Sequence, residues 1–227
     1  MSAPENTLEA FAAALAFGIT HLETDVHLTR DGYPVLWHDA DLRRWNGERT
    51  RIDRLTIHEL QNITVRGSCI STVAEALAEF PQARFNLDLK DDRAVEAVAQ
   101  AIEWVASTDR VLVTSFHEDT CAQLRTRLPD AFHGASAGRV ARALLAERLG
   151  DERALARILA PVDAVQIPPR MRGIALATTR RIAAFKRHVR EVHVWTINDP
   201  AEMCELVERG ADGIVTDRVD RAIELDG

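Results

Sequence analysis

Short apolar stretches alternate with longer stretches of helical periodicity along most of this chain. The apolar stretches predict seven core strands, which begin at Leu22, Phe85, Val111, Phe132, Val165, Val192 and Ile214. Helical patterns separate these strands, and the longest of them predicts one helix over residues 140–159. Because parallel strands need long crossover connections, repeated strand–helix units indicate an α/β fold with a parallel sheet.

The number of strand–helix units favours a barrel. Eight such units close into a TIM (β/α)8 barrel, and the crossovers between its strands are right-handed. The chain shows seven strands, and its first element is a helix from Leu8 that Asn6 and Glu9 would cap. We therefore expect a single-domain barrel over residues 1–227 that lacks its first β-strand at the N-terminus. The alternative is a doubly wound open sheet, although no glycine-rich phosphate loop follows a strand here.

Residues 21–39 predict a β-hairpin that carries polar side chains on one face. Asp31-Gly32 is a strong signal for a two-residue turn. With that turn, Asp25 lies opposite His38, and Glu23 points to the same face because side chains alternate along a strand. Two carboxylates and an imidazole would then converge, which is typical of a metal site with a general acid or base beside it. A solvated strand face with a structural histidine is the alternative interpretation.

The next predicted strand adds Asp88 and Lys90, two residues apart and so on one face. In a barrel, catalytic side chains lie at the carboxyl ends of the strands. Three carboxylates from neighbouring strands suit a hard divalent cation, Mg²⁺ or Ca²⁺, and no His or Cys pair has the spacing of zinc ligands. Lys90 would neutralise an anionic substrate such as a phosphate, while His38 moves protons. A salt bridge between Asp88 and Lys90, and core packing by Trp195, are the alternatives.

Composition narrows the class of protein. The chain has 227 residues, 46% of them hydrophobic, and a net charge of -7, so it can bury a sizeable core. No clustered basic face argues for nucleic-acid binding. Three scattered cysteines favour a reducing compartment, and no apolar run is long enough for stable membrane insertion. We expect a cytoplasmic protein that acts on a small molecule.

Several sequence blocks, in order along the chain, resemble the glycerophosphodiester phosphodiesterase family. The first and most specific block is Pro4-Glu5-Asn6-Thr7 followed by Ala10-Phe11. The others lie at residues 23–26, 29–32, 38–39, 86–90, 115–116, 194–198 and 210–217. The resemblance covers essentially the whole chain.

The resemblance implies a TIM barrel that hydrolyses glycerophosphodiesters to glycerol 3-phosphate and an alcohol with Mg²⁺ or Ca²⁺. Asp88 takes a ligand position where the family usually has Glu. The implied residues are Glu23, Asp25 and Asp88 as metal ligands, His38 as one of two catalytic histidines, Lys90 as the catalytic contact to phosphate, and Phe116 and Trp195 in the substrate pocket.

The N-terminal part departs from the family pattern. The family opens with a strand ending His-Arg-Gly, which carries the second histidine and a phosphate-binding arginine, and this sequence shows no such segment before Pro4. We therefore expect reduced turnover, and the alternative is a barrel that binds metal and phosphate without turnover. A different barrel hydrolase, with a metal that activates water, is a third hypothesis. Formation of a homodimer would cover the strand edges left unpaired.

Overall fold

The computed structural model describes residues 3–65 and 67–222. Its strands are β1 (His21–Leu28), β2 (Pro34–Leu36), β3 (Thr64–Val65), β4 (Ser68–Cys69), β5 (Arg84–Leu89), β6 (Val111–Thr114), β7 (Phe132–His133), β8 (Ala164–Ile167), β9 (Arg170–Met171), β10 (Ile174–Ala175), β11 (Glu191–Val194) and β12 (Gly213–Ile214). Its helices are α1 (Leu8–Ala16), α2 (Arg43–Asn46), α3 (Ile57–Gln61), α4 (Val73–Glu79), α5 (Val95–Trp104), α6 (Glu118–Arg127), α7 (Ala137–Leu149), α8 (Glu152–Leu159), α9 (Thr179–Lys186), α10 (Pro200–Glu208) and α11 (Val219–Ala222). None of these helices is both long and apolar enough to cross a bilayer.

Seven parallel strands in the described part of the chain form the wall of a TIM-type barrel. β1 pairs with β5, β5 with β6 and β6 with β7, and a bridge between Gly134 and Ala164 continues the sheet to β8. β8 then pairs with β11, and β11 with β12. The predicted seven strands and the barrel architecture are confirmed. Within residues 3–65 and 67–222, no pairing joins β12 to β1.

The barrel strands carry apolar and polar residues on opposite faces. Leu22, Val26, Phe85 and Leu87 are buried in one hydrophobic cluster with residues of α4 and α5, and β8 and β11 contribute to a second cluster with residues of α7 to α10. Because side chains alternate along a strand, the polar residues between them point to the inner face of the barrel. Burial of the apolar face therefore determines which way the candidate site residues point.

The predicted start of the first helix at Leu8 is confirmed, but its predicted cap and the predicted single helix over 140–159 were wrong. The N-cap of α1 is Thr7, whose Oγ1 accepts a hydrogen bond of 3.2 Å from the backbone N–H of Ala10, and Asn6 has another role described below. The predicted helix over 140–159 is interrupted at Gly150, which has φ +69°, a conformation that glycine adopts at little cost. Asp151 then caps α8 by accepting a hydrogen bond of 2.9 Å from the backbone N–H of Ala154.

Candidate active site

Two carboxylates and an ammonium group meet where the pairing of β1 with β5 ends. The parallel register places Asp25 next to Asp88, and Lys90 follows β5 directly. The Lys90 Nζ lies 2.8 Å from Asp25 Oδ1 and also donates a hydrogen bond to Asp88 Oδ2. The predicted convergence of these three side chains is therefore present in the structure.

The two aspartates are buried, with 6% exposure for Asp25 and 7% for Asp88. Burial raises the pKa of Asp88, even though Lys90 opposes this shift. Burial would lower the pKa of Lys90, but Asp88 and Asp25 outweigh it and hold that pKa above its usual range. Asp88 Oδ1 has no hydrogen-bond partner among the described residues. One buried oxygen thus remains available to a further cationic or hydrogen-bonding group.

Glu23 lies on the same face of β1, one alternation before Asp25. Solvent reaches its side chain, although protein atoms crowd around it closely enough to remove much of its hydration. This desolvation, together with the negative charges of Asp25 and Asp88, raises the pKa of Glu23 to about 8. At the position of Glu23, Lys90 therefore does not fully offset the negative charges of Asp25 and Asp88.

This donor set fits a hard divalent cation. Carboxylate oxygens are the ligands that Mg²⁺ and Ca²⁺ prefer, and the free Asp88 Oδ1 is a buried acceptor without a donor. As they stand, the described residues include no group of three or more Asp, Glu, His or Cys side chains positioned around one ion. Lys90 lies between Asp25 and Asp88 and contacts one oxygen of each, Asp25 Oδ1 and Asp88 Oδ2, which leaves Asp88 Oδ1 free.

Asn6 holds Asp25 in place. Its Nδ2 donates a hydrogen bond of 3.2 Å to Asp25 Oδ2. Its Oδ1 accepts hydrogen bonds from the Thr24 hydroxyl, at 2.6 Å, and from the Asp25 backbone N–H, at 3.3 Å. Asn6 itself has φ +57°, a conformation that asparagine tolerates better than most residues. We call this arrangement the Asn6 clamp.

The same arrangement recurs at the end of β12. Asn198 Nδ2 donates to Asp217 Oδ2 at 3.0 Å, and Asn198 Oδ1 accepts from the Thr216 hydroxyl and from the Asp217 backbone N–H, both at 3.0 Å. In both clamps the asparagine lies 18 and 19 residues before the Thr-Asp pair. The charge of Asp217 contributes to the raised pKa of Glu23, so the second clamp also faces the site.

The predicted register of the β1–β2 hairpin was wrong by one residue. Val26 pairs with Leu36, and the Trp37 N–H donates to the Asp25 carbonyl at 2.9 Å. Asp25 therefore lies opposite Trp37, not His38. The loop has three residues, of which Gly32 has φ +89°, and a left-handed residue at this position is typical of three-residue hairpin loops.

His38 lies one residue further along, with its side chain 52% exposed. Its Nδ1 is 2.8 Å from Asp39 Oδ1. Because a carboxylate only accepts hydrogen bonds, Nδ1 carries the proton and Nε2 is left for other partners. Asp39 also accepts a hydrogen bond of 2.5 Å from Arg44 Nε, and Arg44 contacts Glu5.

The position of His38 relative to the carboxylates is close but indirect. Its charge contributes to lowering the pKa of Asp88, against the larger effect of burial. The His27 imidazole contacts the backbone of His38, with His27 Nε2 3.1 Å from the His38 carbonyl oxygen. The structure thus holds the backbone and the ring of His38 by two separate contacts.

Aromatic side chains form one wall beside Lys90. The Phe116 ring lies 5.4 Å from Lys90 Nζ and packs edge-on against Trp195 with centroids 6.0 Å apart. The Ser115 hydroxyl fixes the start of this loop by donating to the Leu89 carbonyl at 2.7 Å. Phe116 is 52% exposed, so the wall faces open solvent on one side of the carboxylate cluster.

Comparisons with known proteins identify the family of this chain. Residues 1–221 match the model of the Glycerophosphoryl diester phosphodiesterase family. The chain belongs to this family. A relative from Mycobacterium tuberculosis, "Probable glycerophosphodiester phosphodiesterase 2", is 34% identical over 96% of this chain and 83% of its own length.

Solved structures of the same family share the fold. The glycerophosphodiester phosphodiesterase of Thermotoga maritima is 26% identical, with a TM-score of 0.75 over 98% of this chain and 92% of its own. An Oleispira antarctica phosphodiesterase, solved in complex with the product sn-glycerol-3-phosphate, has a TM-score of 0.79 at 24% identity, over 100% of this chain and 93% of its own. The predicted family and the TIM-barrel fold are confirmed, and the chain is a phosphodiesterase by family.

Sequence reasoning missed the residues that hold the site together. Asn6 was interpreted as a helix cap, and Arg44 was not among the candidate residues. The spacing of the two Asn…Thr-Asp sets was a usable signal, because each asparagine stands 18 residues before its threonine. No local pattern pointed to Arg44, whose partners Glu5 and Asp39 are distant from each other in the sequence.

Proposed function

We propose that this protein hydrolyses glycerophosphodiesters to glycerol 3-phosphate and an alcohol in a reaction that depends on Mg²⁺ or Ca²⁺. The observation that carries the proposal is the cluster of Glu23, Asp25 and Asp88 around Lys90 at the carboxyl ends of neighbouring barrel strands. Such a cluster can bind a cation through its carboxylates and an anionic substrate through Lys90. The family match and the product complex of the Oleispira antarctica relative support this substrate class.

The carboxylates Glu23, Asp25 and Asp88 would hold the metal ion. When bound, the ion supplies positive charge that stabilises the developing charge on the phosphoryl oxygens. Lys90 is the residue of this chain that binds phosphate directly, because it is the cation of the cluster and its side chain is 23% exposed.

His38 would move a proton at Nε2. The Asp39 carboxylate keeps the other ring nitrogen protonated and orients the ring. Its exposed position leaves room for a substrate oxygen at hydrogen-bonding distance. Phe116 and Trp195 would pack against the carbon atoms of the substrate and exclude water from one side of the phosphate.

The second candidate is a barrel that binds metal and phosphate without turnover. Phosphodiester cleavage needs both a base for the nucleophile and an acid for the leaving alkoxide. The neighbouring imidazole of His27 is engaged with the His38 carbonyl, which favours this alternative because His27 is then less able to take the second role.

The test is release of glycerol 3-phosphate from glycerophosphocholine by the 227-residue chain, with Mg²⁺ or Ca²⁺ and with a chelator. We expect turnover that the chelator abolishes, and a loss of about 10²–10⁴-fold in His38→Gln. His58→Gln, on the exposed helix α3, is the matched control. Phosphate binding without measurable turnover would support the second candidate, while full activity in the chelator would contradict metal dependence.

A further inference from the structure

One segment of this acidic protein is strongly basic. Residues 164–190 contain seven Lys or Arg residues and no Asp or Glu, in a chain of net charge -7. Five of the seven basic side chains have carboxylate partners from elsewhere in the chain: Arg180 and Arg181 pair with Glu147, Lys186 with Asp212, Arg187 with Glu152, and Arg190 with Asp163. Arg170 and Arg172 make no ion pair with any residue in the described ranges. The unbalanced charge of the segment is therefore concentrated at these two arginines.

Both arginines lie in the hairpin formed by β9 and β10. The two strands are antiparallel, with Met171 opposite Ile174. The loop between them consists of Arg172, with φ +49°, and Gly173, with φ +82°, which is the geometry of a tight two-residue turn. Hydrogen bonds hold the base of the hairpin, since the Leu176 N–H donates to the Pro169 carbonyl at 2.8 Å.

The tip of the hairpin exposes apolar side chains next to the unpaired arginines. Met171 is 53% exposed and Ile174 is 63% exposed. Because they lie opposite one another, their side chains share a face and form a contiguous apolar pair. A single exposed apolar residue needs no explanation, but this hairpin combines an apolar pair with two arginines that make no ion pair in the described ranges. Apolar burial and attraction of basic side chains to anionic lipids are the two contributions that hold a protein at a membrane surface.

The hairpin lies at the same end of the barrel as the carboxylate cluster. It follows the carboxyl end of β8, and the Trp195 N–H donates to the Ile167 carbonyl at the end of that strand, at 3.2 Å. Trp195 in turn packs against Phe116, which lies over Lys90. The hairpin and the aromatic wall beside Lys90 therefore lie at the same end of the barrel, after the neighbouring strands β8 and β11.

We propose that the β9–β10 hairpin docks this end of the barrel on an anionic lipid surface. The two arginines contact lipid phosphates, and the Met171–Ile174 pair enters the headgroup region. The identity of the substrate at this surface rests on the proposed function. A glycerophosphodiester presented at a membrane surface would reach Lys90 without leaving that surface. The docking itself depends only on the hairpin.

The test is co-sedimentation of the full chain with vesicles of phosphatidylcholine alone or of phosphatidylcholine with phosphatidylglycerol. We expect binding to the anionic vesicles that weakens as salt is added, because exposed charges are screened. Replacing each arginine should weaken binding about fivefold, so Arg170→Gln with Arg172→Gln should reduce it roughly 25-fold. Met171→Ser with Ile174→Ser should also reduce binding.

The matched control changes the opposite end of the barrel. Arg84 begins β5 and is exposed, and Trp104 ends α5 with 88% exposure. Arg84→Gln with Trp104→Ser should bind vesicles as the unaltered chain does. The proposal is overturned if the unaltered chain does not bind anionic vesicles, if the hairpin variants bind equally well, or if the control variant loses as much.

Two further measurements separate this proposal from its alternatives. Sedimentation velocity without lipid tests whether the hairpin binds a second copy of the chain instead, and self-association that the hairpin variants abolish would overturn lipid docking. Hydrolysis of soluble glycerophosphocholine should be unchanged in the hairpin variants. An unaltered chain that binds vesicles but does not hydrolyse this substrate would refute the proposed function and leave the docking intact.

Discussion

At the scale of single residues, the site is defined by a charge imbalance. Asp25 and Asp88 are buried and share Lys90, and Glu23 adds a carboxyl whose pKa is raised to about 8. A buried charge without a partner is costly, and the loss of one partner of a buried pair destabilises a protein strongly. A bound divalent cation would relieve this imbalance, which gives the metal proposal its physical reason.

Metal binding is the first prediction at this scale. Glu23→Gln and Asp25→Asn should each abolish binding of Mg²⁺ or Ca²⁺, because each removes a charged oxygen ligand. Isothermal titration calorimetry of the metal against each variant makes the measurement. Glu202→Gln, in the first turn of α10, is the matched acid-to-amide control. Unchanged metal affinity in both site variants would remove the proposed metal site.

The second prediction concerns the orientation of His38. Asp39→Asn should lower kcat by up to about 10²-fold and leave KM little changed, because the amide no longer fixes the protonated ring nitrogen while Lys90 still binds phosphate. Arg44→Gln should have a smaller effect in the same direction, since Arg44 holds Asp39. Steady-state kinetics of the variants and of the exposed control Asp109→Asn would show it. A loss confined to KM would contradict a positioning role.

At the scale of secondary-structure elements, one carboxylate connects three helices. Glu118, the first residue of α6, accepts hydrogen bonds from Arg139 and Ser136 at the start of α7 and from Arg125 at 2.9 Å. Arg139 Nη1 also donates to the Ile158 carbonyl in α8 at 2.6 Å. Burial alone would raise the pKa of Glu118, but these hydrogen bonds outweigh it and lower the pKa to about 2.

This network predicts a pH-dependent stability. Because the folded-state pKa of Glu118 lies below its unfolded value near 4.5, its contribution is complete above about pH 4.5 and is lost as the pH falls toward 2. Glu118→Gln should therefore lower the free energy of unfolding by about 2 kcal/mol at pH 7. The difference between the variant and the unaltered chain should shrink in acid. Urea unfolding at several pH values, with Glu9→Gln in the first turn of α1 as control, makes the measurement. A difference that stays constant down to pH 2 would contradict the assignment.

At the scale of the whole molecule, the barrel wall formed by the described residues ends at two strands, β12 and β1. β12 pairs with β11, and β1 pairs with β5 and with the short strand β2, while no pairing between β12 and β1 occurs in the described ranges. Unpaired strand edges present free N–H and C=O groups that bind other strands. One clamped Thr-Asp pair lies within β1 and the other follows β12. The absence of pairing between these two strands in the described ranges therefore bears directly on the site.

The 227-residue chain is therefore predicted to be less stable than a closed barrel or to dimerise. Adding a strand that ends His-Arg-Gly before Pro4, the segment that the family resemblance implies, should raise the Tm and the rate of glycerol 3-phosphate release together. Sedimentation velocity and thermal unfolding of both forms make the comparison. A strictly monomeric short chain with a sharp, high-temperature transition and ordinary turnover would contradict this prediction.

Much of the architecture was predictable because it depends on local periodicity. The apolar faces of β1 and β5 alternate with period two, so the sequence alone determined that Glu23, Asp25 and Asp88 share the inner face of the sheet. The family motifs, from residues 4–11 to residues 210–217, could also be recognised from the sequence alone. These features need no knowledge of which distant segments meet.

Only the tertiary structure decided how the site is held together. The extra residue in the β1–β2 loop moved His38 out of register with Asp25, and Asn6 bonds to Asp25 although 19 residues separate them. The hairpin of β9 and β10 was not predicted, and it depends on a two-residue turn that contains the non-glycine residue Arg172 with positive φ. Such contacts form because the packing of strands and helices brings together polar groups that are distant in the sequence. A one-residue change in a turn changes the pairing partner of every residue beyond it.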